Sequence, residues 1–228
     1  MPIFDPLYLI FTLPALLFSI WAQVRVKSAF AHYSRVALRT GISGADAAQR
    51  ILAASGLPGL SVERHGGFLS DHYDPRTKTL RLSPDVYDGR SVAAVAVAAH
   101  EAGHSLQDAA HYGPLVLRSQ LVPITQIGSR LWYLPFVFGW MLRLSGLMWV
   151  GVICFAAVVV FQLVTLPTEL DASRRAKAVL ASTGIVTTAE EAHGVEKVLG
   201  AAALTYVAAL VASAMQLVYM VLRARDNR

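Results

Sequence analysis

The chain has 228 residues, of which 55% are hydrophobic and only 15% are charged, and its mean hydropathy is +0.48. An average soluble domain is about 45–50% apolar and about 25% charged, so this composition argues against a soluble domain. The net charge of +5 does not indicate a nucleic-acid partner, because the basic residues flank apolar runs and are mixed with acidic ones.

Four apolar runs account for the composition. Residues 4–21, 145–166 and 201–222 each come close to the ~20 residues that a helix needs to cross a bilayer. A fourth run, residues 121–142, carries Arg130, Pro123 and Pro135. We predict about four transmembrane helices in a multi-pass cell-membrane protein. Residues 4–21 are predicted to be a retained anchor, since Asp5 stands where a signal peptide carries positive charge.

These runs divide the chain into five parts. We predict an N-terminal transmembrane anchor at 1–21, a polar portion at 22–120 and a transmembrane hairpin at 121–166. A second polar portion follows at 167–200, and a C-terminal transmembrane helix with its tail at 201–228. Within the polar portions, apolar spacing and capping residues predict helices at 43–55, 92–110 and 170–182. Alternation around an Asp-Pro turn predicts a β-hairpin at 67–83.

The Ala-rich helix predicted at 92–110 carries the motif His100-Glu101-Ala102-Gly103-His104. Residues four apart lie on one helix face, so both imidazoles can bind one metal ion. Zn²⁺ binds histidine nitrogen and, in catalytic sites, holds a water beside three protein ligands. Glu101 stands where it can take a proton from that water. The polar portions are therefore predicted to be the catalytic portions.

The third zinc ligand must come from elsewhere. The other histidines have no partner at ligand spacing; they are His32, His65, His72, His111 and His193. Glu169 follows the third apolar run and opens a predicted helix. It is a candidate ligand, although a glutamate there can also serve only as a favourable first-turn charge.

Several segments together resemble the YugP-type neutral zinc metallopeptidases. They are Asp71-His72-Tyr73-Asp74-Pro75, Arg81-Leu82-Ser83-Pro84, the zinc motif with its preceding Ala98-Ala99, and Leu166-Pro167 through Arg175. The resemblance covers nearly the whole chain. It implies Zn²⁺ as cofactor and a protein or peptide as substrate.

That family is similar in turn to the HtpX-type membrane peptidases, which place a glutamate ligand in a Glu-x-x-Ala-Asp element. Glu169 and Ala172 match this element, and Ser173 stands where those peptidases have aspartate. The resemblance therefore implies Glu169 as third ligand and leaves the partner of the ligand histidines open, with Asp171 a candidate.

Two further parts of the site are predicted. Three residues could stabilise the oxyanion because each can donate a hydrogen bond: Arg174, His193 and Tyr206. The predicted hairpin would offer an edge strand to an extended substrate; its residues are Leu69, Ser70, Asp71 and His72.

The predicted fold is a mainly α membrane protein with a zincin-like catalytic helix, a small β-hairpin and about four transmembrane helices. The predicted function is a membrane-bound zinc endopeptidase. Two alternatives stay open: an intramembrane site-2-type protease, and a non-enzymatic membrane protein with a structural metal. Basic residues following the first and third runs predict catalytic portions that face the cytoplasm.

Overall fold

The computed structural model describes residues 5–67 and 70–227 and has a mainly helical architecture. The helices are α1 Pro6–Tyr33, α2 Gly44–Ala54, α3 Pro84–Tyr87, α4 Val92–Ala109, α5 Gly113–Leu131, α6 Tyr133–Met141, α7 Ser145–Ser182 and α8 Ala189–Asp226. The strands are β1 Ser61–Arg64, β2 His72–Asp74 and β3 Thr79–Leu82. The described residues form two compact units.

The first unit, here called the membrane unit, comprises residues 5–23, 113–167 and 204–227 of the described chain. Three helices of the described chain are long and apolar enough to cross a membrane: α1, α7 and α8. Few residues in their apolar windows are buried inside the protein, which leaves large side chains such as Ile10 and Ile153 exposed. Such a surface suits contact with lipid.

The fourth predicted run does not form one long helix. Residues 121–142 are divided between α5, which ends at Leu131, and α6, which begins at Tyr133. Pro135 explains the division, because it has no N–H to donate to the carbonyl of Leu131 and its ring crowds that carbonyl. A turn with Arg143 at φ +55° then leads into α7.

The second unit, here called the catalytic unit after the catalytic portions predicted from the sequence, comprises residues 24–67, 70–112 and 168–203. Its core is built on α4, whose buried face is mostly alanine and valine, with α2 packed against it. Both helix starts are capped as their sequences predict. Ser43 and Asp46 form a reciprocal capping box on α2, and the Ser91 hydroxyl accepts from the Ala94 N–H of α4.

The small sheet has three strands in the order β1-β3-β2. The hairpin predicted at 67–83 corresponds to the antiparallel pair β2–β3, in which Tyr73 lies opposite Leu80. Strand β1, which runs parallel to β3, was not predicted because residues 61–64 contain one apolar side chain, Val62. Leu80 and Leu82 of β3 are fully buried. The central strand therefore anchors the sheet, and β2 is an edge strand.

The helices that contribute apolar spans also supply the catalytic unit. No new helix begins at residue 170, because α7 continues through Pro167 to Ser182. The helix ends as predicted at residue 182, Gly184 follows with φ +64°, and α8 begins at Ala189. The apolar run at 145–166 and the polar residues up to Ser182 thus form one continuous helix.

At Gly103 the helices α4 and α7 approach each other closely. A Cβ added at Gly103 would lie 2.5 Å from the carbonyl oxygen of Ala172. A backbone oxygen cannot move aside as a flexible side chain can, so a glycine is required here for packing.

We expect Gly103→Ala to destabilise the protein although alanine is the better helix former. The intrinsic gain of about 1 kcal/mol is outweighed by overpacking, which costs about 1–3 kcal/mol. Gly200→Ala is the matched control, because a Cβ at Gly200 meets nothing within 4 Å. Thermal unfolding of the detergent-solubilised variants measures the difference. An equal or higher midpoint for Gly103→Ala than for Gly200→Ala would contradict the prediction.

Candidate metal centre

Three side chains of the catalytic unit converge on one point. The ligand-type atoms of His100, His104 and Glu169 all lie within 4.8 Å of one another. Glu169 Oε2 is 3.1 Å from His100 Nε2 and 3.5 Å from His104 Nε2. The side chain of His100 is 13% exposed, that of His104 is 9% exposed and that of Glu169 is 3% exposed. The two histidines come from successive turns of α4, and α7 brings the carboxylate to them across the contact at Gly103.

The other nitrogen of each imidazole has its own partner. His100 Nδ1 lies 3.1 Å from Ser173 Oγ, and His104 Nδ1 lies 3.0 Å from Gln107 Oε1. Because an amide oxygen can only accept, His104 must carry its proton on Nδ1. In the neutral imidazole Nε2 is then the nitrogen that can bind a metal ion, and in the protonated imidazolium Nε2 faces Glu169 as a donor. Such outer partners fix the tautomer and the ring orientation of a metal-binding histidine.

Gln107 links this pair to α7. Its amide nitrogen donates to the carbonyl oxygen of Thr168 at 2.8 Å and to Asp171 Oδ2 at 2.9 Å. Asp171 in turn pairs with Arg174 and Arg175. Asp171 therefore acts on His104 through Gln107 rather than directly. Gln107 was absent from the sequence prediction, although its position three residues after His104 places it on the same helix face.

Glu101 is held by the edge strand. Its Oε2 accepts a hydrogen bond from the Tyr73 backbone N–H at 3.0 Å, and its side chain is buried. The Tyr73 hydroxyl donates to Asp108 Oδ2 at 2.6 Å, and Lys78 pairs with the same carboxylate. Burial and the bond to Asp108 raise the pKa of Tyr73. The sequence prediction did not include Tyr73, because its role depends on a main-chain group.

The predicted substrate strand is placed in part. Leu69 lies outside the described residues, and Ser70 and Asp71 precede β2. His72 is the first residue of β2. The Asp71 carboxylate accepts from the Ser83 N–H at 2.7 Å, which ties the approach to β2 to the end of β3. Burial raises the pKa of Asp71, outweighing its bonds to Ser83, and the charge of Glu101 adds to the rise.

The three candidates for oxyanion stabilisation lie on α7, which carries Arg174, and on α8, which carries His193 and Tyr206. Arg174 is bound to Asp171 and its side chain is 77% exposed. His193 is exposed on α8. Tyr206 belongs to the membrane unit. None of the three belongs to the group of converging donors found among the described residues.

The donor set suits Zn²⁺. Two imidazole nitrogens and one carboxylate oxygen are three ligands of the types that zinc binds, and three leaves a coordination position for water. Burial opposes a charge on His104, but its bond to Glu169 and the charge of Glu101 outweigh burial and raise its pKa. The pocket therefore favours a cation. A metal competes with this proton, so metal affinity should fall as the pH falls.

Three converging donors of zinc-binding type, with a carboxylate nearby, are the arrangement typical of zinc-dependent hydrolases. The comparison with known proteins narrows the class. Residues 8–225 match the family described as "Putative neutral zinc metallopeptidase", and the chain belongs to that family.

One relative covers almost the whole chain. The protein is 47% identical to the "Putative membrane protease YugP" of Bacillus subtilis (strain 168) over 222 residues, which cover 97% of this chain and 98% of that protein. No solved structure matches. The resemblance drawn from the sequence motifs is thus confirmed at the level of the family.

We expect Glu169→Ala to bind far less zinc than the wild-type protein, because it removes one of three protein ligands. Asp171→Ala is the matched control on the same helix, and it should keep most of its zinc because Asp171 reaches the site only through Gln107. Metal analysis of the two purified variants measures the outcome. Full zinc occupancy in Glu169→Ala would move the third ligand to another residue.

Proposed function

We propose that the protein is a membrane-bound zinc endopeptidase that hydrolyses peptide bonds of protein substrates. The observation that carries the proposal is the convergence of His100, His104 and Glu169 beside the Glu101 carboxylate. Membership of the metallopeptidase family supports the same reaction.

In this proposal His100, His104 and Glu169 hold the zinc ion. A bound zinc ion polarises a carbonyl and lowers the pKa of a coordinated water towards about 7. Glu101 accepts the proton of the attacking water and then gives it to the leaving amine nitrogen. The Tyr73 N–H restricts the Glu101 carboxylate to one orientation. Ser173 and Gln107 keep the imidazoles aimed at the ion.

The edge of β2 is the proposed place for an extended substrate. Pairing with β3 leaves the other side of β2 open, and the strand contacts α4. Main-chain hydrogen bonds to an edge are largely indifferent to side chains, which favours broad specificity. The Tyr73 N–H, which bonds to Glu101, is not available to a substrate at the same time. His72 and Asp74 direct their main-chain groups to β3, so on this side of β2 a substrate would pair with the Tyr73 carbonyl oxygen.

We further propose four membrane crossings with the catalytic portions in the cytoplasm. Within the membrane unit, Arg223 near the end of α8 pairs with Asp5 before α1, at 2.7 Å. Arg143 of the α6–α7 turn lines a cavity together with Asp226 and Asn227. The start of α1, the hairpin turn and the end of α8 are thus grouped together. With four crossings, these three points must lie on the same side of the membrane. The ion pair also offsets the cost of placing Arg223 on the outer side.

The two alternatives fit less well. A site-2-type protease carries its zinc motif on a membrane helix, whereas the spans found in the described chain are α1, α7 and α8 and do not include α4. A structural zinc site is closed by four protein ligands. Among the residues that the structure describes, three donors converge, and the nearby Glu101 has no function in a purely structural site.

We expect Glu101→Gln to lower peptide hydrolysis at least about 100-fold, because it removes the general base. Zinc content should stay at the wild-type level, because no ligand is changed. His100→Ala is the companion variant and should lose both zinc and activity. Cleavage of a casein substrate by protein in detergent micelles, with metal analysis of each variant, measures both. Wild-type cleavage by Glu101→Gln would disprove the peptidase mechanism.

Reporter fusions test the orientation. We expect a reporter fused after Ala31 to give a cytoplasmic signal, because basic residues follow the first span. With four crossings, a reporter fused after Arg228 should give an external signal. An external signal after Ala31 would reverse the assignment. Cytoplasmic signals at both positions would exclude four crossings.

A further inference from the structure

A basic cavity lies in the catalytic unit, away from the converging metal donors. It has a volume of about 970 Å³ and is bordered by the second half of α1, the end of β1, α3 and the start of α4. Its lining carries four basic side chains: Lys27, Arg35, Arg64 and Arg90. Asp85 and Asp88 are its acidic lining residues. The walls therefore carry an excess of positive charge.

Part of this charge is unpaired. Arg64 forms an ion pair with Asp88 at 2.9 Å, and Arg90 donates to the carbonyl oxygen of Gly41. Lys27 and Arg35 are exposed and form no ion pair with any residue in the described ranges. Asp85 and Asp88 offset only half of the four positive charges in the lining, so an anion between Lys27 and Arg35 would relieve the repulsion that remains.

The position of Lys27 along α1 indicates the kind of anion. Trp21 is 47% exposed at the end of the apolar run, where tryptophan marks a membrane interface. Lys27 follows six residues later in the same helix, which is about 9 Å along the axis. The headgroup layer extends about 5–7 Å beyond the hydrocarbon. The long lysine side chain can therefore reach lipid phosphate.

We propose that this cavity binds the phosphate-bearing headgroup of an anionic phospholipid. Lys27 binds the phosphate from α1, Arg35 from the turn that follows α1, and Arg90 from the segment before α4. Phe30 and Ala31 are further lining residues of the cavity. A headgroup held in this way links the anchor helix to the start of the helix that carries His100 and His104. The proposal does not depend on peptidase activity.

Lipid titration tests the proposal. The full-length protein in dodecyl maltoside micelles is titrated with dioctanoyl phosphatidylglycerol, and bound lipid is counted by native mass spectrometry. Dioctanoyl phosphatidylcholine and inorganic phosphate are the parallel probes. One basic side chain contributes about fivefold to binding at an anionic lipid surface. The triple variant Lys27→Gln, Arg35→Gln, Arg90→Gln should therefore bind phosphatidylglycerol at least about tenfold more weakly.

The matched control removes the same charge elsewhere in the catalytic unit. Arg50→Gln, Arg76→Gln, Lys197→Gln changes three exposed basic residues that do not line the cavity, and it should bind as the wild type does. Both triple variants should keep wild-type zinc content, which verifies folding. Equal weakening in the two variants would reduce the effect to net charge and overturn the site. Equal binding of the two lipids, or binding of inorganic phosphate alone, would also overturn it.

Discussion

The close approach of α4 and α7 is the constraint on which the site depends. At Gly103 the carbonyl of Ala172 takes the space that a side chain would otherwise fill. Only this close approach lets Glu169 lie between His100 and His104. A larger residue there would separate the helices by more than the tolerance of a metal site, whose ligand distances vary by only about 0.2 Å. The mid-helix glycine, unfavourable for the helix itself, thus serves the metal centre.

The surrounding polar groups follow from the burial of that centre. A carboxylate with 3% exposure is costly unless it is paired, and the same low-dielectric surroundings strengthen its attraction to a cation. Each imidazole therefore has a dedicated partner, and Gln107 satisfies three groups at once. Ser173 occupies the place where the HtpX-type resemblance implies aspartate. A neutral hydroxyl there orients His100 without adding a second negative charge beside Glu169.

Much of this could be predicted from the sequence because it rests on local signals. The caps at Ser43 and Ser91, the zinc motif and the β2–β3 hairpin all depend on residues close together in the chain. Residues 6–21 of the first predicted membrane segment fall within α1, and the predicted segments at 145–166 and 201–222 fall within α7 and α8. The continuity of α7 through Pro167 could not be predicted, because proline is usually read as a boundary. The Tyr73 contact was also beyond prediction, since backbone N–H groups carry no sequence signal.

The bond between Tyr73 and Glu101 makes a short surface turn part of the catalytic geometry. Successive residues of a strand point their main-chain groups to alternate sides, so a shift of one residue in the β2–β3 pairing would turn the Tyr73 N–H away from α4. The turn at 75–78 fixes that pairing through its length. The protein should therefore tolerate substitutions in this turn better than insertions or deletions, even though no residue of the turn touches the metal site.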